Sequence, residues 1–148
     1  MEQDLESNIR KLLANQNCAV LATSENGRPY TSLIAFAASD DLRRLLFVTA
    51  RATRKFTNLR REPHVSLLLD NRKNCGEDFR DAMAVTVLGV AGEVPDAEQA
   101  ERMNLFLERH PLLQEFAASP SCALLEVKVQ RYILVSRFQN VMELVFES

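Results

Sequence analysis

The sequence has few of the residues and motifs from which catalytic sites are commonly built. Its 148 residues include no tryptophan, two histidines, three cysteines and four glycines. It contains no phosphate-binding P-loop, dinucleotide fingerprint or G-x-S-x-G motif. With only 7% aromatic residues, it gives little support for a base-stacking surface that binds single-stranded nucleic acid.

The cysteines and histidines do not form a metal-binding pattern. Cys18, Cys75 and Cys122 are odd in number and far apart, which is typical of reduced thiols. His64 and His110 have no neighbouring ligand at metal spacing. We interpret both histidines as structural or surface residues and predict no metal site.

The charge and apolar content exclude several partners. A net charge of −2 gives no general attraction for nucleic acid or an anionic membrane. No apolar run approaches the roughly 20 residues of a membrane span, and the N-terminal residues lack a secretory apolar core. We therefore expect a cytoplasmic protein with no nucleic-acid or membrane partner. The length and the 47% hydrophobic content suit one domain over residues 1–148.

The sequence is rich in β-prone segments joined by short turns. Asn26-Gly27 predicts a hairpin between residues 18–24 and 30–38, because both turn residues accept a positive φ angle. Gly89 and Gly92 are positions where a long strand could bulge or bend. Further apolar or alternating segments predict strands at residues 45–49, 64–70, 82–94, 123–136 and 141–146.

Helices are predicted at three main places. Thr53 can cap a short helix that runs to about Arg61, and Asp96 with Gln99 resembles the capping box of a later one. The N-terminal helix is predicted from an apolar stripe formed by Leu5, Ile9, Leu12 and Leu13.

Six or seven strands with few helices predict a mostly antiparallel α+β fold, built as a closed or partly closed barrel.

The strongest local feature is the segment 49–55, which we call the basic turn. It follows a predicted strand and enters a helix, so that free backbone N–H groups and the positive end of the helix dipole meet there. Arg51, Arg54 and Lys55 add positive charge, while Thr49 and Thr53 add hydroxyl donors. This combination can bind phosphate. The alternative is a solvated basic helix face, which Arg60 and Arg61 would continue. A phosphate site without an acid–base or nucleophile set indicates that a cofactor supplies the chemistry.

The sequence as a whole resembles the pyridoxamine 5'-phosphate oxidase-like FMN-binding split barrels. The resemblance is carried by the order and spacing of short segments, well over residues 10–94 and more loosely through the final strands. It implies a six- to seven-stranded split β-barrel with a few peripheral helices. The segments are residues 19–23, 26–30, 32–36, 46–49, 53–55, 58–59 and 62–67, followed by 131–133 and 137–138.

The resemblance also implies site residues and partners. Family members are homodimers with two FMN sites at the subunit interface, and Arg137 matches a region that can reach the partner's flavin. A surface salt bridge is the alternative role for Arg137. Thr49 matches a position beside the phosphate, and Thr53, Arg54 and Lys55 match the step that holds it. The strand that runs along the flavin corresponds to Ser32, Leu33 and Ile34.

Departures from the family pattern bear on the reaction. Ser32 stands where the true oxidases have an arginine, and Ala84 stands where they have a glutamine near the flavin. Their C-terminal pattern of tryptophan, arginine and histidine is absent, which argues against oxidation of pyridoxamine 5'-phosphate. The leading hypothesis is an FMN-dependent oxidoreductase that acts on a small-molecule redox substrate. The alternatives are a non-catalytic flavin carrier or redox sensor, and a heme-binding or heme-degrading split barrel that uses His64 or His110.

Overall fold

The computed structural model describes residues 2–137 and 140–146, which form five α-helices and eight strands. The helices are α1 Glu2–Asn15, α2 Arg54–Arg61, α3 Asp78–Asp81, α4 Gln99–Arg109 and α5 Gln114–Ala118. The strands are β1 Cys18–Glu25, β2 Arg28–Ala35, β3 Ala37–Ala38, β4 Arg44–Ala50, β5 His64–Asp70, β6 Met83–Glu93, β7 Cys122–Ser136 and β8 Asn140–Val145. Short 3-10 turns cover Asp96–Glu98 and Pro111–Leu113. None of the helices in the described residues has the length and apolar character to cross a membrane.

The strands form one antiparallel sheet that curls into a split barrel. Their order is β2-β1-β5-β6-β7-β4-β3. The long strand β7 pairs with β6 over most of its length, with β4 through residues 122–128 and with β8 through residues 131–136. This architecture confirms the predicted fold class. The structure has one strand more than predicted, β3, which at two residues is too short to be recognised from a sequence pattern.

A β-bulge interrupts the β6–β7 ladder at Gly89. Leu88 pairs with Arg131 and Gly89 pairs with Val129, so Gln130 is the extra residue on β7. A Cβ atom at Gly89 would lie 2.5 Å from the carbonyl oxygen of Lys128, which explains why glycine stands there. The bulge predicted at this glycine is confirmed, whereas the pairing around Gly92 is regular.

The interior of the barrel forms the main core. The apolar stripe of α1 is buried against it, as predicted. Tyr132 is fully buried and its hydroxyl donates to the carbonyl of Leu42 at 2.6 Å. Burial raises the pKa of Tyr132. A second, smaller core lies between α4, α5 and the strands β3, β4 and β7, with Phe106 fully buried in it.

Two predicted local structures differ from the observed ones. The expected capping box does not form, because α4 begins at Gln99, whose side-chain amide donates to the carbonyl of Val94 at 2.7 Å. Residues 71–81, predicted to be a loop, contain the short helix α3. Asp78 organises that segment by accepting the backbone N–H groups of Lys73, Asn74 and Cys75 at 2.7–3.1 Å.

Candidate functional site

The basic turn connects β4 to α2, and Thr53 shapes it. The Thr53 hydroxyl donates to the carbonyl of Ala50 at 2.8 Å and accepts the backbone N–H of Phe56 at 3.3 Å. This is N-capping, as the sequence predicted. Because the first helical N–H groups have no intrahelical acceptor, those of Arg54 and Lys55 remain available at the positive end of α2.

Thr49 lies below this cap rather than at the surface. Its side chain is buried, with the residue only 1% exposed, and its hydroxyl oxygen is 3.2 Å from that of Thr53. In the described structure Thr49 is therefore placed to hold the capping residue in position. The sequence indicated a second hydroxyl donor here, but it could not show that Thr49 faces inwards.

The three cations of the basic turn have different surroundings. Arg51 forms a two-pronged ion pair with Glu93, at 2.9 and 2.8 Å, and this pairing lowers the pKa of the Glu93 carboxyl. The charge of Arg51 is thus neutralised within the protein. Within the described residues, Arg54 and Lys55 have no ion-pair partner. The positive charge that remains for a ligand comes from these two side chains.

Arg54 faces the turn between β1 and β2. Its guanidinium lies 5.4 Å from the centre of the Tyr30 ring, a cation–π distance. A cleft of about 540 Å³ separates it from the β1–β2 hairpin and is lined by Glu25, Asn26, Arg28 and Arg54. The positive end of α2 therefore opens beside the start of β2.

A buried hydrogen bond fixes α2 against β1. The side-chain amide of Asn58 donates to the Thr23 hydroxyl at 3.1 Å, and both residues are buried. Asn58 was part of the family resemblance but was not assigned a role from the sequence. A polar residue between the apolar residues Phe56 and Leu59 of the same helix is the signal that could have identified it.

Strand β2 lies at one edge of the sheet and pairs with β1 alone among the described strands. Ile34 points into the core, whereas Leu33 is 70% exposed. The Ser32 hydroxyl is buried and has no hydrogen-bond partner in the described part of the chain. An edge strand with unpaired backbone groups next to two unpaired cations can contact an extended ligand that has one anionic end.

Arg137 does not lie near the basic turn within one chain. It is exposed in the turn after β7, with a φ angle of 49°. The opposite end of β7 pairs Cys122 with Ala50, next to the basic turn. Arg137 is thus separated from that turn by the whole length of β7.

Each histidine has a polar atom of another residue nearby. The described residues contain no group of three side chains that could hold a metal ion. The Nε2 atom of His110 lies 2.6 Å from the carbonyl oxygen of Phe36. His64 is exposed, 3.5 Å from Glu62, and lines an open cavity of about 420 Å³ together with Thr23, Ser66 and Gln130.

Comparison with known proteins assigns the fold to a family. Residues 5–136 match the family model described as pyridoxamine 5'-phosphate oxidase. The chain belongs to this family. No curated protein matches the sequence. The family assignment agrees with the resemblance carried by the short segments around the basic turn and β2.

Solved structures of the same fold share little sequence with this family member. A heme-binding protein from Mycobacterium smegmatis is 18% identical with a TM-score of 0.81, and the match covers 92% of this chain but 55% of the other. The chain thus spans about half the length of that protein. An FAD-binding protein from Mesorhizobium loti is 20% identical, with a TM-score of 0.69 and coverages of 87% and 90%. General Stress Protein 26 from Bacillus anthracis is 21% identical, with a TM-score of 0.72 and coverages of 96% and 98%.

Proposed function

We propose that the chain binds FMN and acts as a flavin-dependent oxidoreductase. The observation that carries the proposal is the pair of cations at the capped start of α2, Arg54 and Lys55, which have no ion-pair partner in the described part of the chain. The family assignment and a structural neighbour that binds FAD support a flavin. When bound, FMN supplies the redox chemistry, and the protein supplies binding and orientation.

The residues present fit the two ends of FMN. Arg54, Lys55 and the N–H groups at the start of α2 would hold the phosphate, with Thr53 and Thr49 shaping the turn below it. Strand β2 leads away from this position. From Tyr30, next to Arg54, to Ile34 it covers roughly 13 Å at about 3.3 Å per residue. Ser32, Leu33 and Ile34 would lie along the ring system, largely through the unpaired backbone groups of this edge strand, because the Ser32 hydroxyl is buried and the Ile34 side chain points into the core.

The chain would function as a homodimer with FMN at the subunit interface. The outer face of the sheet, the side away from the main core, carries a row of apolar residues: Val20 pairs with both Leu33 and Leu68. Leu33 and Leu68 are 70% and 46% exposed. Exposed apolar patches of this kind commonly mark interfaces. A second copy would cover them, and Arg137 would then approach the partner's flavin rather than its own.

The absorbance spectrum of the purified protein tests the proposal first. We expect flavin bands, or their appearance on titration with FMN, and weaker binding of riboflavin, which lacks the phosphate. A colourless protein that takes up no FMN would contradict the proposal. Tight FMN binding without turnover, when NADH or NADPH is supplied with a range of electron acceptors, would support a flavin carrier or redox sensor instead.

Heme binding is a second candidate because His64 lines an open cavity of about 420 Å³. An exposed imidazole at a cavity rim could ligate heme iron. Titration with heme would then give a Soret band that His64→Ala abolishes and His110→Ala preserves. FMN binding that persists while heme causes no such band would exclude this candidate.

A further inference from the structure

A further cavity lies between α2 and the end of β6. Its volume is about 420 Å³, within the range of small-molecule sites. Arg60 lines this cavity, whereas Arg54 lines the cleft beside the β1–β2 hairpin. The two arginines are six residues apart, which on a helix of about 3.6 residues per turn points their side chains about 120° apart. The cavity is therefore on a different side of α2 from the proposed phosphate site.

The floor of this cavity is apolar. Leu59 comes from α2, and Ala91 and Leu125 come from β6 and β7. All three residues are buried. The Pro63 carbonyl accepts the backbone N–H of Ala91 at 2.8 Å, which ties the end of α2 to β6. The floor is thus fixed by the fold, and its side chains offer a bound molecule hydrocarbon contact only.

The rim of the cavity carries three charged side chains and one aromatic ring. The guanidinium carbons of Arg51 and Arg60 lie 5.7 and 5.6 Å from the centre of the Phe56 ring, both at cation–π distances. Glu93 neutralises Arg51 through two hydrogen bonds, at 2.9 and 2.8 Å. Arg60 forms no ion pair with any residue in the described ranges. One positive charge at the rim, that of Arg60, is therefore not neutralised by a contact.

The Arg51–Glu93 pair indicates which anion suits this rim. A guanidinium and a carboxylate match in shape, because two parallel N–H groups reach the two carboxylate oxygens. Glu93 binds Arg51 in this way, and Arg60 presents the same group without a carboxylate. One unpaired positive charge above an apolar floor favours a monoanion with a hydrocarbon part. A cation would be repelled, and a phosphate dianion would exceed the available charge.

We propose that this cavity binds a small monocarboxylate, whose carboxylate pairs with Arg60 and whose apolar part rests on the floor formed by Leu59, Ala91 and Leu125. The proposal goes beyond the flavin site, because it requires neither Arg54, nor Lys55, nor strand β2. The carboxylate and the phosphate of FMN would bind on different sides of α2.

Three compounds with the same ring test the class of ligand. We expect saturable binding of benzoate and at least about tenfold weaker binding of benzamide and of benzylammonium, because only the carboxylate forms a charge-assisted pair with a guanidinium. Isothermal titration calorimetry at low ionic strength measures all three affinities. Equal affinities for the three compounds, or no detectable binding of benzoate, would overturn the proposal.

Two neighbouring arginines locate the binding site. Arg60→Gln should weaken benzoate binding about tenfold or more, the loss expected for one charge-assisted contact. Arg61→Gln removes the same charge from the next residue, which is also exposed but does not line the cavity, and should have little effect. Equal losses in the two variants would show that benzoate responds only to the net charge of the helix, and would overturn the proposal.

The cavity and the flavin site can be tested separately. Arg54→Gln with Lys55→Gln should leave benzoate binding unchanged, and FMN should not displace benzoate from the wild-type protein. Displacement by FMN would overturn the proposal, because the carboxylate would then occupy the phosphate site. Binding of benzoate that depends on Arg60, in a chain that takes up no FMN, would support this cavity while contradicting the flavin proposal.

Discussion

The hydroxyl oxygen of Thr53 lies 3.2 Å from that of Thr49, so the residue that caps α2 is held by a buried residue of β4. The capping hydroxyl also donates to Ala50 and accepts from Phe56. The start of the helix is therefore fixed before any ligand arrives. Such preorganisation lowers the entropy that binding costs.

Loss of the cap should affect both stability and cofactor binding. Thr53→Ala removes the acceptor for the Phe56 N–H, and we expect the free energy of unfolding to fall by about 1 kcal/mol. FMN should also bind more weakly, because the first turn of α2 is no longer fixed. Urea unfolding and FMN titration measure the two effects. Thr53→Ser keeps the hydroxyl and serves as the control. A less stable Thr53→Ala protein with unchanged FMN affinity would separate the cap from the phosphate site.

If Arg54 and Lys55 bind the phosphate, the affinity for FMN depends on where the positive charges of α2 lie rather than on how many there are. Arg54→Gln with Lys55→Gln should raise the Kd for FMN by about a hundredfold or more, since each charge-assisted contact is worth about 1.5–3 kcal/mol. Arg60→Gln with Arg61→Gln removes the same charge from the last turn of the same helix and should change the Kd little. Riboflavin, without the phosphate, should bind both double variants equally. Equal loss of FMN affinity in the two double variants would support the solvated basic face instead.

The bulge at Gly89 predicts different outcomes for two glycines of β6. A Cβ atom at Gly89 would be 2.5 Å from the carbonyl oxygen of Lys128, a backbone atom that cannot rotate away. We expect Gly89→Ala to destabilise the protein by about 1–3 kcal/mol. Nothing lies within 4 Å of a Cβ atom at Gly92, so Gly92→Ala should change stability by less than about 0.5 kcal/mol. Thermal unfolding of the two variants would contradict this account if both lost the same stability.

The proposed homodimer predicts that a charge on the outer face prevents association. Leu33→Arg places a guanidinium in the apolar row with Val20 and Leu68, and we expect it to shift the protein to monomer. Leu112→Arg introduces the same charge at a residue that is 97% exposed in the short turn before α5, outside the apolar row, and should leave the oligomeric state unchanged. Analytical ultracentrifugation measures both. A wild-type protein that sediments as a monomer at high concentration would contradict the homodimer itself.

Local features of the fold were predictable because their causes are local. The Asn26-Gly27 turn follows from two residues that accept positive φ angles, and both have them, at 52° and 82°. The Thr53 cap follows from a hydroxyl before a helix. The burial of α1 follows from the spacing of its leucines and isoleucine. Each of these requires only neighbouring residues.

The parts of the site that were not predictable depend on distant residues. Arg51 appeared to be one of three equivalent cations until the fold placed Glu93 beside it, 42 positions later. Asn58 reaches Thr23 over 35 positions. The sequence predicted a basic turn, but contacts across the barrel decide which of its charges remain free. Such contacts cannot be predicted from the pattern of neighbouring residues in the sequence.

The pairing of Ala50 with Cys122 has a consequence for the order in which the chain can fold during synthesis. The hairpin of β1 and β2 and the strands β5 and β6 can pair with one another as soon as they leave the ribosome. Strand β4 cannot pair along its length at that stage, because its partners are the two-residue β3 and the distant β7. The basic turn is thus translated in the first half of the chain, but the strand that leads into it pairs along its length only when the last long strand is made. A nascent chain arrested before residue 122 should therefore hold the capped start of α2 without the paired strand β4 that anchors it to the sheet.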